Sequence, residues 1–349
     1  MFLICFWVLC GIFITFYDAS LLGFKSEIEG GHYIFFRNLI YVIIACIVGG
    51  TLLGSLEVLY LNKLLRRKPF GITLSIKTAI YLMFMLFFIS MCMLHIFSSE
   101  INKPLLSGDV FKLYVDFLFS AKVVMKVIYW ILACMSAMFI LQVNDKFGQG
   151  VLINFLLGKY HQPKEENRIF MFMDLKSSTT YAENLGHIKY SQFIQDCFFD
   201  ITDVVTQYDA KIYKYVGDEV ILSWNIKQGI ENGNCIKTFF AYDALIKSKK
   251  NYYQNKYGIV PEFKAGLHLG NATIAEVGVI KKELEYHGDV LNTAARIQAK
   301  CNEFKKRILI SESMKIKLQN QSLFDLLRIG AVSLKGKAKS LNLYEVIPA

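Results

Sequence analysis

Four long apolar runs decide most of what this chain can fold into. They are Met1–Tyr17, Leu39–Leu61, Thr73–His95 and Ala121–Val143. An α-helix needs about 20 apolar residues to cross the hydrocarbon core of a bilayer. The first run is short, but it lacks the basic segment that opens a signal peptide, so it is read as a membrane helix. After Val143 the apolar density falls and the pattern becomes that of a globular protein. The chain therefore divides into a membrane half of all-α character (residues 1–143), a helical connector (144–167) and a soluble half (168–349). The overall composition, 54% hydrophobic in 349 residues, averages these two regimes.

Loop charge sets the expected orientation. "NKLLRRKPFG", between the second and third runs, carries Lys63, Arg66, Arg67 and Lys68. Such a loop stays on the cytoplasmic side, which places residues 18–37 and 97–120 outside. The soluble half follows the fourth run and is therefore cytoplasmic, which makes this an integral protein of the cell (inner or plasma) membrane, in contact with lipid. Lys77, Lys122 and Lys126 fall near span ends and are expected to snorkel. The connector places Val151, Leu152, Phe155 and Leu156 on one stripe, and Pro163 is expected to end its helix.

Charge and cysteines narrow the function classes. The net charge of +10 is shared: residues 1–146 hold 12 Lys/Arg and 8 Asp/Glu, the remainder 27 and 21. A spread of this kind suits phosphate ligands or an anionic membrane surface and argues against a nucleic-acid partner. No protein partner is indicated either. The eight cysteines form no CxxC pair, so neither a zinc site nor a disulfide framework is expected.

The soluble half alternates strands and helices, which predicts an α+β sheet covered on one side by helices. Its chemistry gathers in a few places. "RIFMFMDL" is a strand ending in Asp174, followed by Ser177, Ser178 and Thr179 at a helix start. "KIYKYVGDEVILSW" is a β-hairpin with Asp218 and Glu219 at its tip. If these strands are neighbours, Asp174 and Asp218 emerge at one end of the sheet, as an oxygen-ligand site for Mg²⁺ would need. Two acids at strand ends also arise in proteins with no chemistry, and Glu219 reads as a solvated turn residue. In "GDVLNTAARI", Asn292 and Arg296 are four apart and share a helix face. They form either an exposed polar stripe or a pair suited to orienting a ribose and neutralising a phosphoryl group. "LKGKAK" places Lys335 in a glycine-containing turn, free to grip a polyphosphate or simply to be solvated.

Together "FMFMDLKSST", "KYVGDEV", "FKAGLHLG", "GDVLNTAARI" and "LKGKAKSLNLYEV" resemble the catalytic domain of class III nucleotide cyclases, in order and spacing, over Arg168 to Ile347. The resemblance implies a ferredoxin-like βαββαβ core. It implies two Mg²⁺ or Mn²⁺ ions per site on Asp174, Asp218 and the Leu175 carbonyl, with Ser177, Ser178 and Thr179 beside the substrate. Asn292 positions the ribose, Arg296 stabilises the transition state and Lys335 holds the terminal phosphates. It also implies a homodimer, each site taking metal ligands from one chain and Asn292 and Arg296 from the other.

Substrate choice rests on two positions. Lys214 stands where adenylyl cyclases carry Lys and guanylyl cyclases Glu. Glu285 stands where adenylyl cyclases usually carry Asp or Thr, a departure that keeps an acceptor for the adenine amino group. The expected function is a membrane-anchored adenylyl cyclase acting on ATP. The alternatives are a guanylyl cyclase or a catalytically silent membrane receptor module on a cyclase scaffold. A diguanylate cyclase is disfavoured, because Val216 and Val220 flank the acids differently and the Asn–Arg helix has no place there.

Overall fold

A computed structural model describes residues 2–22, 25–28, 31–148, 150–318, 323–334 and 340–348. The chain forms two compact units, residues 1–147 and 148–349.

The first unit is built on helices α1 (Phe2–Leu22), α2 (Phe35–Leu56), α3 (Phe70–Glu100), α4 (Gly108–Leu118) and α5 (Ala121–Phe147). A short hairpin, β1 (Lys25–Ile28) and β2 (Gly31–Ile34), joins α1 to α2. Four of the helical segments are long and apolar enough to cross a membrane: 2–20, 35–65, 70–99 and 123–147. Helix α4 lies in a segment read as a plain loop from sequence. Ser107 caps it by accepting from the Val110 N–H at 3.5 Å, with Asp109 in its first turn.

The span that begins with α2 continues to Leu65 through a π-helical turn, Glu57–Leu61, in which the Asn62 N–H bonds the Glu57 carbonyl. In an α-helix, residues five apart diverge by about 140°. The wider turn brings Glu57 and Asn62 onto one side, and both accept from Lys77 of α3. The ammonium forms an ion pair with Glu57 and lies 2.7 Å from Asn62 Oδ1. The Tyr81 hydroxyl donates to the other Glu57 oxygen at 3.2 Å. Lys77 and Glu57 are buried. This corrects the snorkelling expected of Lys77, whose charge is satisfied inside the helical unit. Lys126 instead reaches Asp18 at 2.8 Å.

The second unit begins with a short helix, α6 (Val151–Leu156), which ends before Gly158 rather than at Pro163. The sheet strands are β3 (Lys164–Leu175), β4 (Lys211–Val216), β5 (Glu219–Asn225), β6 (Phe263–Val277), β7 (Glu283–His287), β8 (Ile308–Ser311), β9 (Phe324–Val332) and β10 (Leu341–Pro348). Their order is β4-β5-β3-β6-β8-β10-β9, with β7 paired to β6. The first four stand in the order of a ferredoxin-like βαββαβ core. Helices α7 (Ser178–Gln207), α8 (Asn234–Ser248), α9 (Lys250–Tyr257), α10 (Asp289–Glu303) and α11 (Glu312–Leu318) complete the unit.

Strand β3 is central and buried on both faces, which explains why "RIFMFMDL" is continuously apolar rather than alternating. Ile169, Met171 and Met173 pack with Phe193 and Cys197 of α7 and Phe239 of α8. Phe170 and Phe172 face the other way, against Val290 and Ala294 of α10. Helices therefore cover both faces, not one as the pattern suggested.

The seat of α10 depends on Gly266. A β-carbon there would lie 2.2 Å from the Gln298 backbone nitrogen and 2.8 Å from the Ala294 carbonyl oxygen. No rotamer change relieves a clash with backbone, so Gly266→Ala must push α10 off β6. We expect a loss of about 2–4 kcal/mol of domain stability. Chemical denaturation of the purified variant checks this, and an unchanged midpoint would refute the close approach.

Candidate active site

Asp174 is the penultimate residue of β3, and the register sets it between Glu219 of β5 and Lys264 of β6. Asp218 precedes Glu219 in a turn where Gly217 takes φ +61°, a left-handed conformation that glycine adopts without strain. The two aspartates share one end of the sheet, as the strand pattern required.

The surroundings of these carboxylates are uneven. Asp174 Oδ2 accepts from Gln298 Nε2 at 3.1 Å and lies 3.0 Å from Lys264 Nζ. Burial nevertheless raises the Asp174 carboxyl above its usual range and Asp218 adds to the rise, against Lys264 and Gln298. Glu219 is pushed up to about 7, first by burial and then by the charges of Asp174 and Asp218. Glu219 is half-buried, so it is part of this acidic group and not a solvated turn residue. Asp218 Oδ2 is buried and has no hydrogen-bond partner. Such an oxygen is costly unless a cation meets it.

An anionic cluster with an unpartnered buried oxygen fits a divalent cation, which would invert the local electrostatics. Among the described residues no set of three or more His, Cys, Asp or Glu side chains is placed to hold an ion by itself. Mg²⁺ typically takes one or two carboxylates and completes its shell with water and substrate phosphate, so two aspartates and a backbone carbonyl suffice.

The other expected residues are distributed as follows. Leu175 ends β3, its side chain buried. Ser177 adopts a left-handed conformation (φ +59°) that turns the chain into α7, whose first residues are Ser178 and Thr179. The first N–H groups of that helix, which have no partner within it, follow the end of β3 within a few residues of Asp174. Asn292 and Arg296 lie on α10, Asn292 exposed and Arg296 half-buried, while Val290, Ala294, Ile297 and Gln298 face the sheet. Among the described residues neither Asn292 nor Arg296 makes a hydrogen bond or ion pair with Asp174 or Asp218. Lys335 lies outside the described residues.

Lys214 and Glu285, 71 residues apart, meet directly at 2.6 Å between Nζ and Oε1. Burial would raise the Glu285 carboxyl, but Lys214 and the Tyr213 hydroxyl outweigh it and hold the group below its usual range.

The site lies inside a stretch, residues 160–347, that matches the family described as the adenylate and guanylate cyclase catalytic domain. The chain belongs to this family. It is similar to Adenylate cyclase 2 of Rhizobium meliloti, 32% identical over 203 residues, which are 58% of this chain and 56% of that protein. It is also similar to an adenylate cyclase of Anabaena cylindrica, 25% identical over 182 residues, 50% of this chain and 36% of that one. The chain thus spans about half or less of these relatives. A bacterial light-regulated adenylyl cyclase shares the fold at 18% identity, with 66% of this chain and 67% of that chain covered and a TM-score of 0.55.

Four residues of the cyclase domain escaped sequence reasoning. Lys264 and Glu219 flank Asp174 on the neighbouring strands, Gln298 reaches it from α10, and Tyr213 reaches Glu285. Only Glu219 carried a signal, its place next to Asp218. The others depend on pairings that no local pattern encodes.

Proposed function

We propose that this protein is a membrane-anchored adenylyl cyclase that converts ATP to 3′,5′-cyclic AMP and pyrophosphate at sites shared between two copies of the chain. The observation that carries the choice of ATP is the contact between Lys214 and Glu285. It offers a cationic donor for adenine N1 beside an anionic acceptor for the 6-amino group, a pattern that guanine does not match. The basic loop holding Lys63, Arg66, Arg67 and Lys68 supports a catalytic domain on the cytoplasmic side.

Asp174, Asp218 and the Leu175 carbonyl would hold two Mg²⁺ or Mn²⁺ ions, which supply charge neutralisation on the triphosphate and a lowered pKa for the ribose 3′-hydroxyl. The reaction joins the 3′-oxygen to the α-phosphorus and breaks the bond to the β-phosphate oxygen. The hydroxyl proton passes to solvent. Ser177, Ser178 and Thr179 receive phosphate oxygens at the start of α7, and Lys335 holds the terminal phosphates. Asn292 orients the ribose, and Arg296 neutralises charge gathering on the α-phosphoryl oxygens.

Two features support a homodimer. Asn292 and Arg296 sit on the side of α10 away from their own sheet. The turn between β6 and β7 also exposes Val279 (90%) and Ile280 (104%), an apolar tip suited to a second copy. Full-length protein incubated with Mn²⁺ and either ATP or GTP, with products separated by chromatography, tests the reading. Cyclic AMP well in excess of cyclic GMP is expected. No cyclic nucleotide from a proven dimer would sink it.

A further inference from the structure

Strand β4 contains an irregularity whose effect falls on Glu285. Its register against β5 shifts between Ile212 and Lys214: Ile212 pairs with Leu222 and Lys214 with Ile221, leaving Tyr213 as the extra residue of a β-bulge. In a regular strand, consecutive side chains leave from opposite faces. A bulge breaks that alternation and re-aims side chains. Here consecutive residues reach the same carboxylate: Lys214 meets Oε1 and the Tyr213 hydroxyl donates to Oε2.

Tyr213 is itself held. Its hydroxyl accepts from the Tyr286 backbone N–H at 3.2 Å, which directs its proton toward Glu285. Its ring meets the Tyr286 ring edge to face, with centroids 4.7 Å apart and planes at 88°. Tyr286 adjoins Glu285 on β7 and packs in turn on Phe170 of β3 at 5.3 Å. The hydroxyl is thus part of a packed wall. Lys214 is more exposed, and its flexible stem fixes a direction poorly by itself.

We propose that Tyr213 is a positioning residue for base selection, holding the Glu285 carboxylate where it accepts from the adenine 6-amino group. This rests on the adenylyl cyclase reading. With Oε2 anchored by the tyrosine and Oε1 steadied by the lysine, the carboxylate keeps lone pairs for the substrate without reorienting. A glutamate has one more rotatable bond than an aspartate, and Tyr213 removes the freedom this adds. Guanine, which presents a carbonyl at the corresponding position, gains nothing from the arrangement.

The test is Tyr213→Phe in the full-length protein, with kcat and KM measured for ATP and GTP under Mn²⁺. The ring packing survives and only the hydroxyl is lost. We expect kcat/KM for ATP to fall about tenfold, mainly through KM, and that for GTP to change less than about twofold. An equal fall for both substrates, or none for ATP, would overturn the inference, since a merely structural tyrosine does not distinguish bases. Wild type and Lys214→Ala in the same assay separate the two levels. If wild type shows no ATP preference, or Lys214→Ala leaves it intact, the base reading fails and the role of Tyr213 falls with it. If both behave as expected and Tyr213→Phe does not, only the role of Tyr213 fails. Glu285→Asp approaches the same hydrogen bond from the other side and serves if Tyr213→Phe does not fold: it should lower the ATP preference, and an unchanged preference counts against the inference. In the Glu285→Asp background, Tyr213→Phe should add little, and a full additive loss would show that the two do not act together.

Discussion

Asp218→Asn is expected to lower cyclase turnover at least about a thousandfold while leaving the domain folded. The substitution keeps the shape of the side chain and removes its charge. In the absence of metal, Asp218 brings a buried, unpartnered oxygen into a group that already holds Asp174 and Glu219. Removing that charge relieves repulsion, so in chelator the unfolding temperature of the variant should equal or exceed that of wild type. Mn²⁺ should then separate the two. A ligand that binds only the folded state raises its stability in proportion to the logarithm of its concentration above Kd. Wild type should gain with added Mn²⁺ and Asp218→Asn should gain much less. Thermal melts with and without Mn²⁺, beside a product assay, check both halves. A variant that melts far below wild type in chelator, or one that keeps a tenth of its activity, would refute the assignment.

Mixing two inactive variants should restore activity. Asp218→Asn damages the metal side of a site and Arg296→Ala damages the side contributed by α10. If each site draws one side from each chain, a mixed dimer concentrates both lesions in one site and leaves the other intact. Random pairing of equal amounts makes half the dimers mixed, so about a quarter of wild-type activity should return. Co-expression with two affinity tags and purification through both isolates the mixed dimer, in which about half should return. Inactivity of that dimer would mean that the sites are not shared.

Much of this architecture was legible because its signals are local or repeated. Apolar runs near 20 residues mark the long helices. The central strand announces itself by lacking alternation. Five motifs in order mark the catalytic domain and put Asp174, Asp218, Lys214 and Glu285 forward as candidates. The misreadings share a cause. Lys77 looked like a snorkelling side chain because its partners Glu57 and Asn62 lie on another helix, brought to one side by a π-turn that has no sequence signature. Glu219 looked solvated because a hairpin tip is usually open, whereas this one lies against β3 beside Asp174. Gln298 and Lys264 are ordinary residues of a helix and a strand until β3, β6 and α10 meet. Tyr213 reads as one more alternating strand residue until the bulge turns it.

The π-turn at Glu57–Leu61 also decides where the span between Phe35 and Leu65 can lose a residue. A π-turn amounts to one residue more than a continuous α-helix would use over the same path. Deleting one residue within that turn would let the helix close into α geometry at little cost to its backbone. The helix on either side would keep its relative orientation, because the residue removed is the one that the wider turn accommodates. Asn62 would then stand four residues from Glu57, still on the side that faces Lys77. A one-residue deletion in the plain α-helical part of the span has no extra residue to give up, and it would instead turn everything beyond it by about 100°.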